Sequence, residues 1–190
     1  MNRTPCKRFG SYNQTRCAGR LAVLGDELVE VIGADGTVER VVTRAEMRAQ
    51  NLRHRNIAVV VQRSDGRLVA HQRADWKDLY PSMWDLAFGG VPGVAEADET
   101  AAVRELAEEA GLEISADDLV LLGSAARETD AVNWRGVFYL VVTDEELHPA
   151  DGEVVAMEAV EPTAIRDWAE THPLCPDVVL LLDQFDAWMS

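Results

Sequence analysis

The sequence reads as an α+β domain in which helices flank a mixed sheet. Strands and helices follow one another without a regular βα alternation. The run NIAVVVQ at 56–62 holds five apolar residues in succession, as in a strand buried on both faces. The stretch 98–110 has the period of a helix with two incompatible faces. At 190 residues the chain has the size of one domain with a full core.

Taken in order, residues 1–20 lack periodicity and are expected to form a basic, mobile tail, leaving 21–190 as the domain. Glu27 to Val42 reads as a β-hairpin with Asp35-Gly36 at its turn. Thr43 and Glu46 have capping-box spacing, which predicts a short helix over 44–50. Arg53-His54-Arg55 forms a basic cluster before the next strand, read as a solvated connector or, less simply, as a phosphate contact. Asn56–Gln62 and Leu68–Arg73 are strands joined by the turn Ser64-Asp65-Gly66. The packed loop 74–85, with Pro81, Trp76 and Trp84, leads to a strand at Leu86–Phe88; the tryptophans read as core and loop packing, with pocket lining by Trp76 or Trp84 as the alternative. The two-faced helix is expected to be capped near Asp98 and stopped by Gly111. Strands at Leu119–Glu128 and Trp134–Thr143, an acidic loop from Asp144 to Glu153 and a strand at Val154–Val160 follow. A short helix opens at Pro162-Thr163, and an amphipathic helix over 177–188 closes the chain.

Charge narrows the function. The whole chain stands at −15 and the first twenty residues at +5 (Arg3, Lys7, Arg8, Arg16, Arg20), so the remaining 170 carry −20. A surface this acidic argues against a nucleic-acid polymer or an anionic membrane as partner, and a phosphorylated ligand has to meet locally placed cations. The absence of any apolar run of membrane-spanning length argues against a span, and the basic tail lacks the apolar region of a secretory signal. Three cysteines, Cys6, Cys17 and Cys175, offer neither a disulfide framework nor a zinc spacing, which suits a reducing cytoplasm.

The helix over 98–110 carries the chemistry. At roughly 100° per residue, Glu105, Glu108 and Glu109 share a narrow arc, opposite Val103, Leu106, Ala107 and Ala110. Three carboxylates at this spacing repel one another near the end of the helix where the dipole also disfavours them. On the helix alone two readings stand: a solvated acidic face, or an arc holding a divalent cation, since Mg²⁺ and Mn²⁺ take clustered carboxylate oxygens.

The surroundings add Gly90, Glu96, Arg104, Leu106, Gly111 and Leu112 in the spacing G-x5-E-x7-R-E-U-x-E-E-x-G-U, with U aliphatic. All nine specified positions are filled within 23 residues, and the stretch 90–112 resembles the Nudix box without departure. The resemblance implies a Nudix α/β/α sandwich over 21–190, with the hairpin as an N-terminal extension. It also implies a Mg²⁺- or Mn²⁺-dependent hydrolase that cleaves a diphosphate linkage in a small phosphorylated metabolite, such as a nucleoside diphosphate linked to another moiety. By resemblance Glu105, Glu108 and Glu109 are metal ligands, with the Gly90 carbonyl as a further oxygen. Glu96 and Arg104 are an orienting pair, and Gly111 stops the helix. The general base is Glu105 or, from outside the box, Glu153, whose plainer reading is a solvated loop acid.

Upstream, MRAQNLRHRNIAVVVQRSDGRLVAHQRADWKDLYPSMWD resembles a bacterial Nudix subgroup that is similar to isopentenyl-diphosphate isomerase. In that pattern Arg73 and Lys77 stand before the box as cations for the substrate diphosphate, or as solubilising surface charge. The isomerase needs a cysteine in the strand before the box, where this chain has Asp85-Leu86-Ala87-Phe88. Two alternatives accompany the hydrolase: an isomerase-like enzyme, and a non-catalytic ligand-binding or regulatory module on the same fold. By family habit the hairpin is the surface for a homodimer.

Overall fold

In the computed structural model, which describes residues 27–149, 152–179 and 182, the hairpin forms as expected. β1 (Leu28–Ile32) and β2 (Val38–Thr43) pair antiparallel. Asp35 fastens the turn by accepting from the amide and hydroxyl of Thr37 at 3.0 and 2.6 Å. The hairpin extends the sheet, because Val31 pairs with His54, and Val29, Val31 and Val42 close a small core with Met47 and Val91. Thr43 caps α1 (Arg44–Ala49), its hydroxyl accepting from the Glu46 amide at 3.1 Å. The expected tail, with Cys6 and Cys17, lies outside the described residues.

β3 (His54–Gln62) starts two residues earlier than the run at 56–62, and this corrects the reading of the basic cluster. Arg53 donates to Asn133 and Glu128, and buried His54 places Nδ1 2.9 Å from the Leu52 carbonyl. Arg55 donates to Glu30, to Asp98 and to the carbonyl of Glu96. These side chains do not form a solvated connector. They tie β3 to the segments on either side of it. Arg55→Met is expected to cost about 2–3 kcal/mol, because it strands partly buried acceptors of a charged donor. Urea unfolding checks this.

β3 is also where the core divides. Ile57, Val59 and Val61 face one apolar cluster, and Ala58 and Val60 face the other, as alternation along a strand requires. β4 (Leu68–Arg73) pairs with β3 only at Gln62–Leu68, then turns away to pair with β5 (Trp84–Asp85) and β9 (Val154–Val160). β6 (Phe88–Gly90) runs antiparallel along one edge of β3. β8 (Asn133–Val142) runs parallel along the other, with β7 (Val120–Glu128) outside it. The sheet is therefore mixed, as the irregular order of elements predicts. The strand expected at Leu86–Phe88 sits two residues later, so the glycine pair belongs to it.

The box helix begins as α2 (Asp98–Glu105) and covers the Ile57 face with Ala101, Ala102, Leu106 and Ala110. Val103 and Ala107, expected in the apolar arc, are only half-buried. The N-cap is Ala97, not Asp98, whose carboxylate is taken by Arg55. The other cluster is closed by Trp84, Trp134, Phe138 and Ile165, the last from α3 (Ile165–Trp168). The expected final helix is helical over 176–179, and most of its remainder lies outside the described residues. Among the described residues no helix is long and apolar enough to cross a membrane.

Among the described residues, His71 is one whose buried side-chain nitrogen lacks a partner. His71 on β4 stacks on Phe88 at 4.3 Å between ring centroids, and its Nδ1 is buried with no hydrogen bond. Burial, with Arg73 and Lys77 adding to it, lowers its pKa from 6.5 to about 3. The unfolded chain therefore takes up this proton first, and stability falls as the pH drops from 6.5 towards 3. His71→Leu should remove that loss. Between pH 6 and 4 the stability of wild type relative to the variant should decline by about 1.4 kcal/mol per pH unit. Denaturant titrations at a series of pH values measure it, and parallel pH profiles for the two proteins would refute it.

Candidate active site

The box helix does not stay α-helical. After Glu105 the chain makes a π-helical turn, Leu106–Ala110, and stops at Gly111 in the left-handed conformation, φ +64°. The buried residues fall in pairs four apart: 101 and 102, 105 and 106, 109 and 110. In a straight α-helix position 109 lies about 80° round from 101. The wider turn brings Glu109 and Ala110 back onto the buried face, and such turns gather at functional sites.

This winding separates the three carboxylates that an ideal helix places on one arc. Glu105 and Glu109 are 8% and 4% exposed, whereas the Glu108 side chain is 48% exposed. The reading of a uniformly solvated face is corrected for the first two. Glu105 lies against Gly90, where a Cβ would come within 2.5 Å of Glu105 Oε1 and push the carboxylate aside. Arg104 donates Nη1 to Glu105 Oε1 at 2.8 Å, and the same nitrogen stands 3.6 Å from Glu108. Its Nε and Nη2 fork onto the two oxygens of Glu96, each at 3.0 Å, and Glu96 also accepts from the Gly93 amide at 2.7 Å. Arg104 therefore orients Glu105 while fastening the loop before the helix.

Glu109 accepts from the Gly89 amide at 3.0 Å, and its other oxygen stands 3.7 Å from Lys77 Nζ. Lys77 also donates to Glu153. Glu153 is 8% exposed, which corrects its reading as a solvated loop acid. Lys77 is not the solubilising surface charge of one reading: it is largely buried as the countercharge of two buried carboxylates. Burial raises the Glu109 pKa well above its usual value; Lys77 opposes this, and Glu105 and Glu153 add to it. Burial raises Glu105 too, against Arg104.

Gly89 and Gly90, against which Glu109 and Glu105 lie, line a cleft. Arg73 and Lys77 line it, as do Arg44 and Arg48 from α1, which sequence reasoning passed over because a six-residue surface helix carries no motif. Trp134 contributes to the wall, whereas Trp84 lies in the core against Trp168 and Trp76 does not line the cleft. Cys175, far from the box in sequence, reaches the strand before it: its amide donates to the Trp84 carbonyl at 2.8 Å. Its side chain is fully buried, and burial pushes the thiol pKa up, so it does not present a reactive thiolate.

Among the described residues no three histidine, cysteine, aspartate or glutamate side chains stand together in metal-ligating geometry. The donor chemistry nevertheless fits a hard divalent cation: two desolvated carboxylates flank a glycine backbone, with Glu108 one turn away. Their charges are disfavoured by burial and by each other, and a cation relieves both penalties.

Comparison with known proteins agrees with the box. The NUDIX domain model matches residues 52–178. An uncharacterised Nudix hydrolase of Pseudomonas aeruginosa is 32% identical over 137 residues, covering 70% of this chain and 78% of the relative. Another from Streptomyces coelicolor is 34% identical over 86 residues, 45% of this chain, and the match spans only 48% of that relative. A crystal structure from Deinococcus radiodurans shares the fold with a TM-score of 0.71 at 22% identity, covering 83% of this chain and 98% of that one. A family match over more than half of the residues, and a relative matched along most of its length, lead to one statement: the chain belongs to the Nudix family.

Proposed function

We propose that the protein is a Mg²⁺- or Mn²⁺-dependent hydrolase that cleaves a diphosphate linkage in a small phosphorylated metabolite. The observation that carries this reading is the burial of Glu105 and Glu109 against Gly90 and Gly89, which line a cleft together with four cations. Glu105, Glu108, Glu109 and the Gly90 carbonyl would hold the metal. When bound, it neutralises phosphoryl oxygens and lowers the pKa of water.

The chain's own residues divide the remaining work. Arg104 holds Glu105 in one orientation and shields it from Glu108. The Gly89 amide and Lys77 hold Glu109. Arg73 faces the cleft as a donor to the substrate diphosphate. Glu105 is the first candidate for the base that takes the proton of the attacking water. Glu153 is the second, and its burial beside Lys77 strengthens the case for it. Exposed Leu28, Val38 and Val41 on the hairpin support a homodimer formed there, and the sparse cysteines support a cytoplasmic location.

A panel of nucleotides and sugar nucleotides, assayed for phosphate or mononucleotide release with Mg²⁺, tests the reading. Metal-dependent turnover of at least one diphosphate is the expected result. Silence across the panel with a substrate-independent protein partner would favour a regulatory module, and interconversion of isoprenoid diphosphates without phosphate release would favour an isomerase.

A further inference from the structure

The wall of the cleft gathers three guanidinium groups. α1 places Arg44 and Arg48 at i and i+4 in the cleft wall, and Arg73 enters from β4. Like charges at that spacing repel. Arg44 is paired with Glu27 at 3.1 Å, and Arg73 donates Nε to the Leu79 carbonyl at 3.2 Å. Arg48 is less well provided. Its Nε is buried with no hydrogen bond and stands 3.6 Å from Asp78 Oδ2. Burial pushes its pKa down, Arg44 and Arg73 push the same way, and Asp78 and Asp177 push back.

The other acids on the cleft wall, Asp177 near Arg48 and Asp85 near Arg73, also have partners of their own. Asp177 pairs with Arg127 at 2.9 Å and accepts from the Tyr80 hydroxyl at 3.4 Å. Asp85 accepts from the amides of Leu86 and Ala87 at 2.8 and 3.2 Å. A buried guanidinium nitrogen without an acceptor needs an explanation, and here it sits among two further guanidinium groups. All three line the same cleft as Gly89 and Gly90, against which Glu109 and Glu105 lie.

The geometry points to an anion subsite at Arg48, flanked by Arg44 and Arg73, that receives a phosphate group of the substrate remote from the bond cleaved. The substrate class is then a diphosphate that also bears a phosphomonoester. This assignment of substrate rests on the hydrolase reading; the subsite itself does not. A phosphomonoester suits it because a dianion with three acceptor oxygens matches several converging guanidinium donors better than one carboxylate does.

The test titrates metal-free protein with inorganic phosphate and, separately, with acetate by calorimetry at low salt. Wild type should bind phosphate in preference to acetate. Arg48→Met should weaken phosphate binding about tenfold, the loss of one charge-assisted contact. Arg48→Lys, which keeps the charge without the planar fork, should fall between them. Arg67→Met removes the same charge from an exposed turn outside the cleft and should leave binding unchanged. Circular dichroism verifies that each variant is folded. Absence of phosphate binding by wild type, equal binding of acetate, or undiminished binding by Arg48→Met would overturn the subsite. Because no metal or turnover is involved, a silent substrate panel with phosphate binding intact would count against the hydrolase reading alone.

Discussion

Glu109→Gln is expected to lower turnover of any diphosphate substrate by about 10³-fold, since one metal ligand carries several kcal/mol of transition-state charge stabilisation. The fold should survive the change. Burial raises the Glu109 pKa, so at neutral pH the ionised carboxylate costs the native state free energy that an amide does not. Lys77 keeps its contact with Glu153, and the glutamine oxygen can still accept from the Gly89 amide. The variant should therefore melt no lower than wild type at pH 7 while binding Mg²⁺ more weakly. Glu108→Gln offers a comparison, because its side chain is half-exposed and stands 3.6 Å from Arg104. Steady-state kinetics, Mg²⁺ titration and thermal melts on one preparation separate the effects. Full activity in both variants would sink the metal-site assignment.

Gly111→Ala should cost about 3 kcal/mol, for two reasons that add. The residue sits at φ +64°, where a side chain costs about 1–2 kcal/mol. A Cβ there would also lie 2.1 Å from the His148 carbonyl oxygen, an overlap worth about 1–3 kcal/mol in a packed region. The neighbouring bond from the His148 amide to the Ala110 carbonyl, 2.8 Å, ties this segment to the helix end and resists the shift that would relieve the clash. Asparagine tolerates the backbone angle but carries the same Cβ. Gly111→Asn should therefore recover only part of the loss in urea unfolding. Full recovery would show that the dihedral alone matters.

Much of this site was legible beforehand. Gly90, Glu96, Arg104, Glu105, Glu108, Glu109 and Gly111 lie within 22 residues, so their spacing along the chain is their spacing in the site. The Glu96–Arg104 fork and the Gly111 stop follow from that local order. Arg53-His54-Arg55 was misread because nothing local reveals that Glu30 and Asp98 lie beside Arg55, 25 and 43 residues away. Glu153 was misread as solvated for the same reason: its partner Lys77 is 76 residues distant.

The sequence by itself determined the nine-position box and a helix with an apolar and an acidic side, because helix period and residue type are written in covalent order. Only the tertiary structure decided which acids are desolvated. The apolar face laid down by β3 and β8 recruits residues at four-residue intervals, and the helix satisfies it with a π-helical turn that buries Glu105 and Glu109 and leaves Glu108 in solvent. It alone set Lys77 between Glu109 and Glu153 and brought Arg44, Arg48 and Arg73 into one cleft. Burial and charge pairing depend on surfaces contributed by distant segments, and those surfaces exist only once the chain has folded.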